Sequence, residues 1–447
     1  MNDAPDPAYE ATNEAALVKA EIFRLVARYA HLAHTPKPFN PATSPVPVNG
    51  KVYGAAEMVS LVDSALDFWL TTGRFNDEFE ARLAGVTGGR YVLTTNSGSS
   101  ANLLAISALT SHLLENPLAP GDEVITCATG FPTTINPILQ NNLVPVFVDV
   151  QLPTYNIQAE LIEAAITPRT RAIALAHTLG NPFDLGTVMA IADKHNLRVM
   201  EDCCDALGAT YNGTKVGNFG SIATLSFYPA HHITTGEGGA VFMRDSLVKR
   251  ATESIRDWGR DCYCAPGFDN TCKKRFGWQL GGLPFGYDHK FTYSHLGYNL
   301  KMTDMQAAIG VAQLDRLDGF IAARKHNFTA LRQGLARFAE HLMLPEATPN
   351  SDPSWFGFPL TVRPTAPFAR DELVAHLHKA RIATRYLFGG NLIHQPYMAG
   401  RNFRVSGNTP NADLVMTNSF WVGVYPALGA EHIGYMLESF ESFFRAL

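Results

Sequence analysis

Two adjacent histidines, His231 and His232, sit inside the stretch SIATLSFYPAHHITTGEGGAV (221–241). Imidazole changes charge near neutral pH, so proton transfer is open to either ring. Four cysteines, Cys204, Cys262, Cys264 and Cys272, follow the order C-x57-C-x-C-x7-C. Four thiolates can hold zinc or an iron–sulfur cluster, and this spacing fits neither the usual zinc-finger pairs nor the common ferredoxin runs. Asp202, in VMEDCCDALGA, closes an apolar run with a carboxylate. TTNSGSSAN (94–102) reads as a strand end opening a helix, where free N–H groups and small side chains suit a phosphate.

The elements that must position these groups follow from the hydrophobic pattern. Between residues 91 and 299 short apolar runs alternate with amphipathic segments. Strands are predicted at 91–95, 123–127, 144–149, 172–176, 198–202, 223–227 and 240–243, and helices at 101–114, 157–165 and 185–195. That alternation predicts an α/β fold, a mostly parallel sheet covered on both faces, with functional groups at the carboxyl ends of its strands. Pro229 stops the strand before the histidines, because proline has no N–H for a ladder. Glycines 236, 238 and 239 allow a turn that passes close to a ligand. Strand alternation puts Asp202 and Cys204 on one side and Cys203 on the other.

Elsewhere the pattern predicts a leading helix at 10–34, a proline-rich connection, helices near 55–71 and within GRFNDEFEARLAGVTG, and a long helix within LGYNLKMTDMQAAIGVAQLDRL. Residues 262–290 break the alternation and read as an insertion. A strand near 355–362 and a final helix at 431–447 belong to a smaller C-terminal unit. The expected division is an arm at 1–50, a large domain at 51–315 and a small domain at 316–447.

Composition narrows the function classes. The 447 residues carry a net charge of -5, which leaves no basic footprint for nucleic acid. No apolar run reaches the length of a membrane span, and the acidic N-terminus lacks the order of a secretory signal, so a cytoplasmic location is expected. Six cysteines are too few for a disulfide scaffold in so long a chain, and Cys127 reads as a small buried hydrophobe. Neither GLPFG nor GEGG forms G-x-G-x-x-G between a strand and a helix, so a pyridine-nucleotide site is not expected in this chain.

SF-x-x-x-H-x-I-T-T-G-E-G-G (226–239) resembles the signature of the pyridoxal-phosphate sugar aminotransferases of the DegT/DnrJ/EryC/StrS family. In that family the sixth position is the lysine that anchors the cofactor covalently; here it is His231, which cannot form that bond. The chain therefore resembles the histidine branch, the 3-dehydrases of nucleotide-linked 4-keto-6-deoxyhexoses. The resemblance implies an aspartate aminotransferase-like type I fold, a large sheet domain with a small α+β domain, working as a homodimer. It implies pyridoxamine 5′-phosphate (PMP) held non-covalently, with Gly98, Ser99 and Ser226 at its phosphate. Phe131 would stack on its ring, Asp202 would hold its pyridine nitrogen, and Asn299 would reach the phosphate from the partner subunit.

His231 would remove a proton from the cofactor's C4′ carbon while the hydroxyl on the sugar's C3 departs. Cys204, Cys262, Cys264 and Cys272 would ligate a [2Fe–2S] cluster fed by a separate NADH-dependent iron–sulfur flavoprotein. The substrate would be a nucleotide-linked 4-keto-6-deoxyhexose, with CDP the implied nucleotide, on the way to 3,6-dideoxy sugars. An ordinary aminotransferase would need lysine at 231, and a silent fold braced by zinc is the rival from another class. Lys301 and Asp205 depart from the aminotransferase pattern, and the roles of Asp205, His177 and His232 stay open.

Overall fold

A computed structural model describes residues 7–264, 267–271 and 273–447. Seven of the apolar runs form strands: β1 (Tyr91–Thr95), β2 (Glu123–Cys127), β3 (Val144–Val148), β4 (Thr170–Ala176), β5 (Arg198–Asp202), β6 (Ile222–Ser226) and β7 (Gly239–Met243). Every residue of β3, β6 and β7 is buried, as expected of strands covered on both faces. Three later strands, β8 (Leu342–Met343), β9 (Gly357–Val362) and β11 (Ser419–Gly423), make a separate antiparallel sheet, while β10 (Arg404–Val405) joins the large one.

The large sheet has the order β1-β7-β6-β5-β4-β2-β3-β10. β7 runs antiparallel to β1 and β6, and the remaining pairs are parallel. Period-two alternation divides the core. Ile125, Ile173, Val199 and Phe242 enter one apolar cluster; Val124, Ala172, Met200 and Val241 enter the cluster on the other face.

The helices are α1 (Pro7–Ala33), α2 (Ala55–Asp67), α3 (Arg74–Thr87), α4 (Gly98–Leu109), α5 (Pro132–Gln140), α6 (Leu185–His195), α7 (Ser246–Arg256), α8 (Asp304–Leu314) and α9 (Leu317–Leu335), then α10 (Arg370–Lys379), α11 (Pro410–Asn418) and α12 (Ala430–Arg445). The small sheet packs Phe358, Leu360, Phe420 and Val422 with Met436 and Phe440 of α12. Asp149 fastens the returning segment to the large sheet. Its carboxylate accepts the Asn411 and Ala412 N–H groups at the start of α11, at 3.0 and 2.8 Å, where the helix dipole favours an anion.

The helix expected at 157–165 is not formed. Asn156–Ile157 pairs with Val150–Gln151, and two 3₁₀ turns follow, Ala159–Leu161 and Glu163–Ala165. The buried residues Ala159, Ile162 and Ala165 repeat every three positions, a period the tighter turn satisfies as well as an α-helix does. Among the described residues, no helix is long and apolar enough to cross a membrane.

Candidate active site

A cavity of about 650 Å³ opens where β4, β5 and β6 end, at Ala176, Asp202 and Ser226. Asp202 is buried on its wall. One carboxylate oxygen, Oδ2, accepts from Asn102 Nδ2 at 2.8 Å and from Thr134 Oγ1 at 2.7 Å, and Oδ1 accepts the Cys204 N–H at 3.1 Å. Donors from α4, α5 and the turn after β5 thus fix the orientation of the carboxylate.

Ser97 caps α4, its Oγ accepting the Ser100 N–H at 3.0 Å. The helix then starts against β6. A Cβ on Gly98 would lie 2.4 Å from Ser226 Cβ, so only glycine lets the two elements meet here. Gly98, Ser99 and Ser226 all line the cavity, at the positive end of the helix dipole. Phe131, at the entry to α5, is half-exposed into the same space, edge-on to Phe388 at 5.9 Å.

The two histidines separate. His231 lines the cavity, and its Nδ1 stands 3.3 Å from Asp205 Oδ1, an ion-pair distance at an angle short of a hydrogen bond. Burial pushes the Asp205 carboxyl up, and the His231 ring opposes that rise. His232 turns into the core, where Nε2 donates to the Ser354 carbonyl at 2.7 Å. Burial holds its imidazole well below the ordinary value, which makes it a neutral structural donor.

Arg324, on α9 and 1 % exposed, braces the histidine turn. Its guanidinium donates to the carbonyls of Ala230 at 3.3 Å and His231 at 3.1 Å, and to that of Phe356 at 3.0 Å. The motif around His231 says nothing of this residue, which sits in an otherwise ordinary helix; only the fold reveals it. Phe356 also reaches the cavity, with its ring 5.2 Å from that of His231.

His177 borders the cavity but is committed elsewhere. Phe183 N–H donates to its Nδ1 at 3.3 Å, and its Nε2 faces Glu201 Oε2 at 3.3 Å. Glu201 also accepts the N–H groups of Gly217, Phe219 and Gly220 at 2.7, 2.9 and 2.7 Å. His177, Glu201 and Cys203 have ligand atoms within 4.8 Å of one another, but these bonds already use the His177 and Glu201 atoms.

Cys203 enters the core and Cys204 lines the cavity beside Asp202, as strand alternation predicts. Cys262 and Cys264 line a different cavity, of about 1180 Å³, with Trp258 and Lys301. There the Cys264 N–H points at Cys262 Sγ, 3.5 Å away. Cys272 lies outside the described residues. Cys204 follows β5 and lines the first cavity, whereas Cys262 and Cys264 follow α7 and line the second. Asn299 lies outside the first cavity, its Oδ1 accepting from Lys301 Nζ at 2.7 Å.

A mostly parallel sheet with a carboxylate, a helix start and an aromatic wall around one cavity defines a pyridoxal-phosphate type transferase fold. The chain belongs to the DegT/DnrJ/EryC1/StrS aminotransferase family, whose model matches residues 53–441. It is 61% identical over 428 residues to the lipopolysaccharide biosynthesis protein RfbH of Salmonella typhimurium, covering 96% of this chain and 98% of that one. It is 52% identical over 406 residues to dTDP-4-dehydro-2,6-dideoxy-D-glucose 3-dehydratase of Saccharopolyspora spinosa, covering 91% and 88%. Among solved structures it resembles E. coli GDP-4-keto-6-deoxy-D-mannose-3-dehydratase with bound hydrated PLP. The TM-score is 0.80 at 29% identity, covering 88% of this chain and 99% of that chain.

Proposed function

We propose that this chain is a PMP-dependent 3-dehydrase of a nucleotide-linked 4-keto-6-deoxyhexose, most specifically a CDP-4-keto-6-deoxy-D-glucose 3-dehydrase serving 3,6-dideoxyhexose biosynthesis. The observation that carries this is His231: it lines the cavity and holds the motif position where the family resemblance places the anchoring lysine, and among the described residues no lysine lines the cavity.

The residues present fit the cofactor. The close approach of Gly98 to Ser226 leaves a cradle at a helix start for a phosphate, Phe131 offers a ring face, and Asp202 offers a fixed carboxylate to a pyridine nitrogen. When bound, the cofactor supplies an amine and an electron-withdrawing ring. His231 would accept a proton from the bound cofactor's C4′ carbon, with Asp205 3.3 Å from its Nδ1 on the other side of the ring. Phe356 and Trp421, from the small domain's sheet region, wall the space against bulk water. The 3-dehydratase named in Saccharopolyspora spinosa supports the same reaction class.

The [2Fe–2S] cluster, the NADH-dependent flavoprotein partner, the homodimer and the cytoplasmic location belong to the same reading. All four cysteines of the resemblance are present in the sequence, which supports the cluster. Cys204 lines one cavity and Cys262 and Cys264 another, and no electron step is assigned to them.

The test is to incubate PMP-loaded protein with CDP-4-keto-6-deoxyglucose labelled with ¹⁸O at C3. The reading expects labelled water without nitrogen entering the sugar. Steady glutamate-driven amination with the label retained contradicts it.

A further inference from the structure

Among the described residues, Arg385 is the one lysine or arginine lining the active-site cavity, where the other formally charged groups besides histidine are the acids Asp202, Asp205 and Glu237. It is exposed, and among the described residues it makes no ion pair; its Nη1 donates only to the carbonyl of Thr384, at 2.9 Å. Its backbone is held on both sides. The Arg385 N–H donates to the Trp421 carbonyl at 3.0 Å and the Trp421 N–H to the Arg385 carbonyl at 2.7 Å, which fixes it to β11 of the small sheet. The nearby Arg370 is already committed, with Nε 2.9 Å from Asp371 Oδ1 and its guanidinium 3.9 Å from the Tyr386 ring centre. Arg385 is therefore a cation on a rigid support with donors to spare.

We propose that Arg385 is the contact for the diphosphate of the nucleotide-linked substrate, an inference that rests on the reading above. The cradle at Gly98 and Ser99 of α4 and Ser226 of β6 lies at the large sheet and suits the cofactor's phosphate. A second multiply charged anion entering beside three acids requires a cation, and guanidinium matches phosphate oxygens two at a time. The carboxylate of an amino donor has the same anionic chemistry and must be told apart.

Calorimetric titration of PMP-loaded protein with CDP, with dTDP, GDP and UDP in parallel, and with L-glutamate separates the sources. Arg385→Met is expected to weaken the binding of the preferred nucleotide on the order of tenfold or more, with Arg385→Lys recovering part of it. Nucleotide binding equal in wild type and Arg385→Met overturns the inference alone. Loss of glutamate binding with nucleotide binding unchanged assigns the arginine to a carboxylate and also overturns it. If the wild-type protein binds none of the four nucleotides, the nucleotide-sugar reading itself fails.

Discussion

His231 Nδ1 and Asp205 Oδ1 stand 3.3 Å apart on the cavity wall, each side chain only 15% exposed. The pair joins the turn before β7 to the turn after β5. An imidazole that is to take a proton from one fixed carbon is favoured by a carboxylate beside its opposite nitrogen, which stabilises the charge it gains.

Asp205→Asn keeps the shape and removes the charge. We expect exchange of the cofactor's C4′ proton with solvent to slow roughly tenfold or more. Stability should move the other way. Burial raises the Asp205 carboxyl, so the ionised group costs stability above its ordinary range, and that cost fades as pH falls through the raised value. Thermal unfolding should therefore show a higher Tm for Asp205→Asn at pH 7, with the gap to wild type closing as the pH is lowered towards 4. A gap that is constant with pH contradicts the assignment.

Gly98→Ala places a methyl 2.4 Å from Ser226 Cβ and 2.6 Å from its Oγ. The helix start or the end of β6 must shift, at a cost of about 1–3 kcal/mol. PMP affinity measured by fluorescence should fall on the order of tenfold, because the phosphate cradle opens. Unchanged affinity would remove the cradle from the account.

Glu201→Gln leaves a neutral oxygen and an NH₂ group where a carboxylate gathers three backbone N–H groups and faces His177. Denaturant unfolding should register a loss of about 1–3 kcal/mol. The same variant should bind PMP as wild type does, since Glu201 does not line the cavity.

Cys262→Ser separates the two halves of the proposed chemistry. Iron content and visible cluster absorption should drop to background, while C4′ proton exchange persists, since Cys262 is not among the residues of the His231 cavity. Retained reduction by an electron-donor protein in this variant rules the cluster out as the point of electron entry.

Seven of the eight strands of the large sheet were legible in the sequence to within a residue or two, because buried strands are short apolar runs between turn residues, whereas β10, two half-buried residues at Arg404–Val405, carries no such run. Gly98, Ser99, Phe131, Asp202, Cys204, Ser226 and His231 share one cavity because motifs at strand ends keep their elements together after folding. The far wall was not legible. Arg385, Phe356 and Trp421 come from separated segments with no local pattern, and Arg324 bonds only to carbonyl oxygens, which no side-chain motif encodes. The segment at 157–165 misled because a repeat of three serves a 3₁₀ turn as well as a helix.

The most direct test of the account is the C4′ proton of bound PMP, followed by NMR in D₂O for wild type and His231→Asn. The account predicts that the variant still binds PMP and that exchange slows by about 10²–10⁴-fold. Exchange at the wild-type rate in His231→Asn would contradict it.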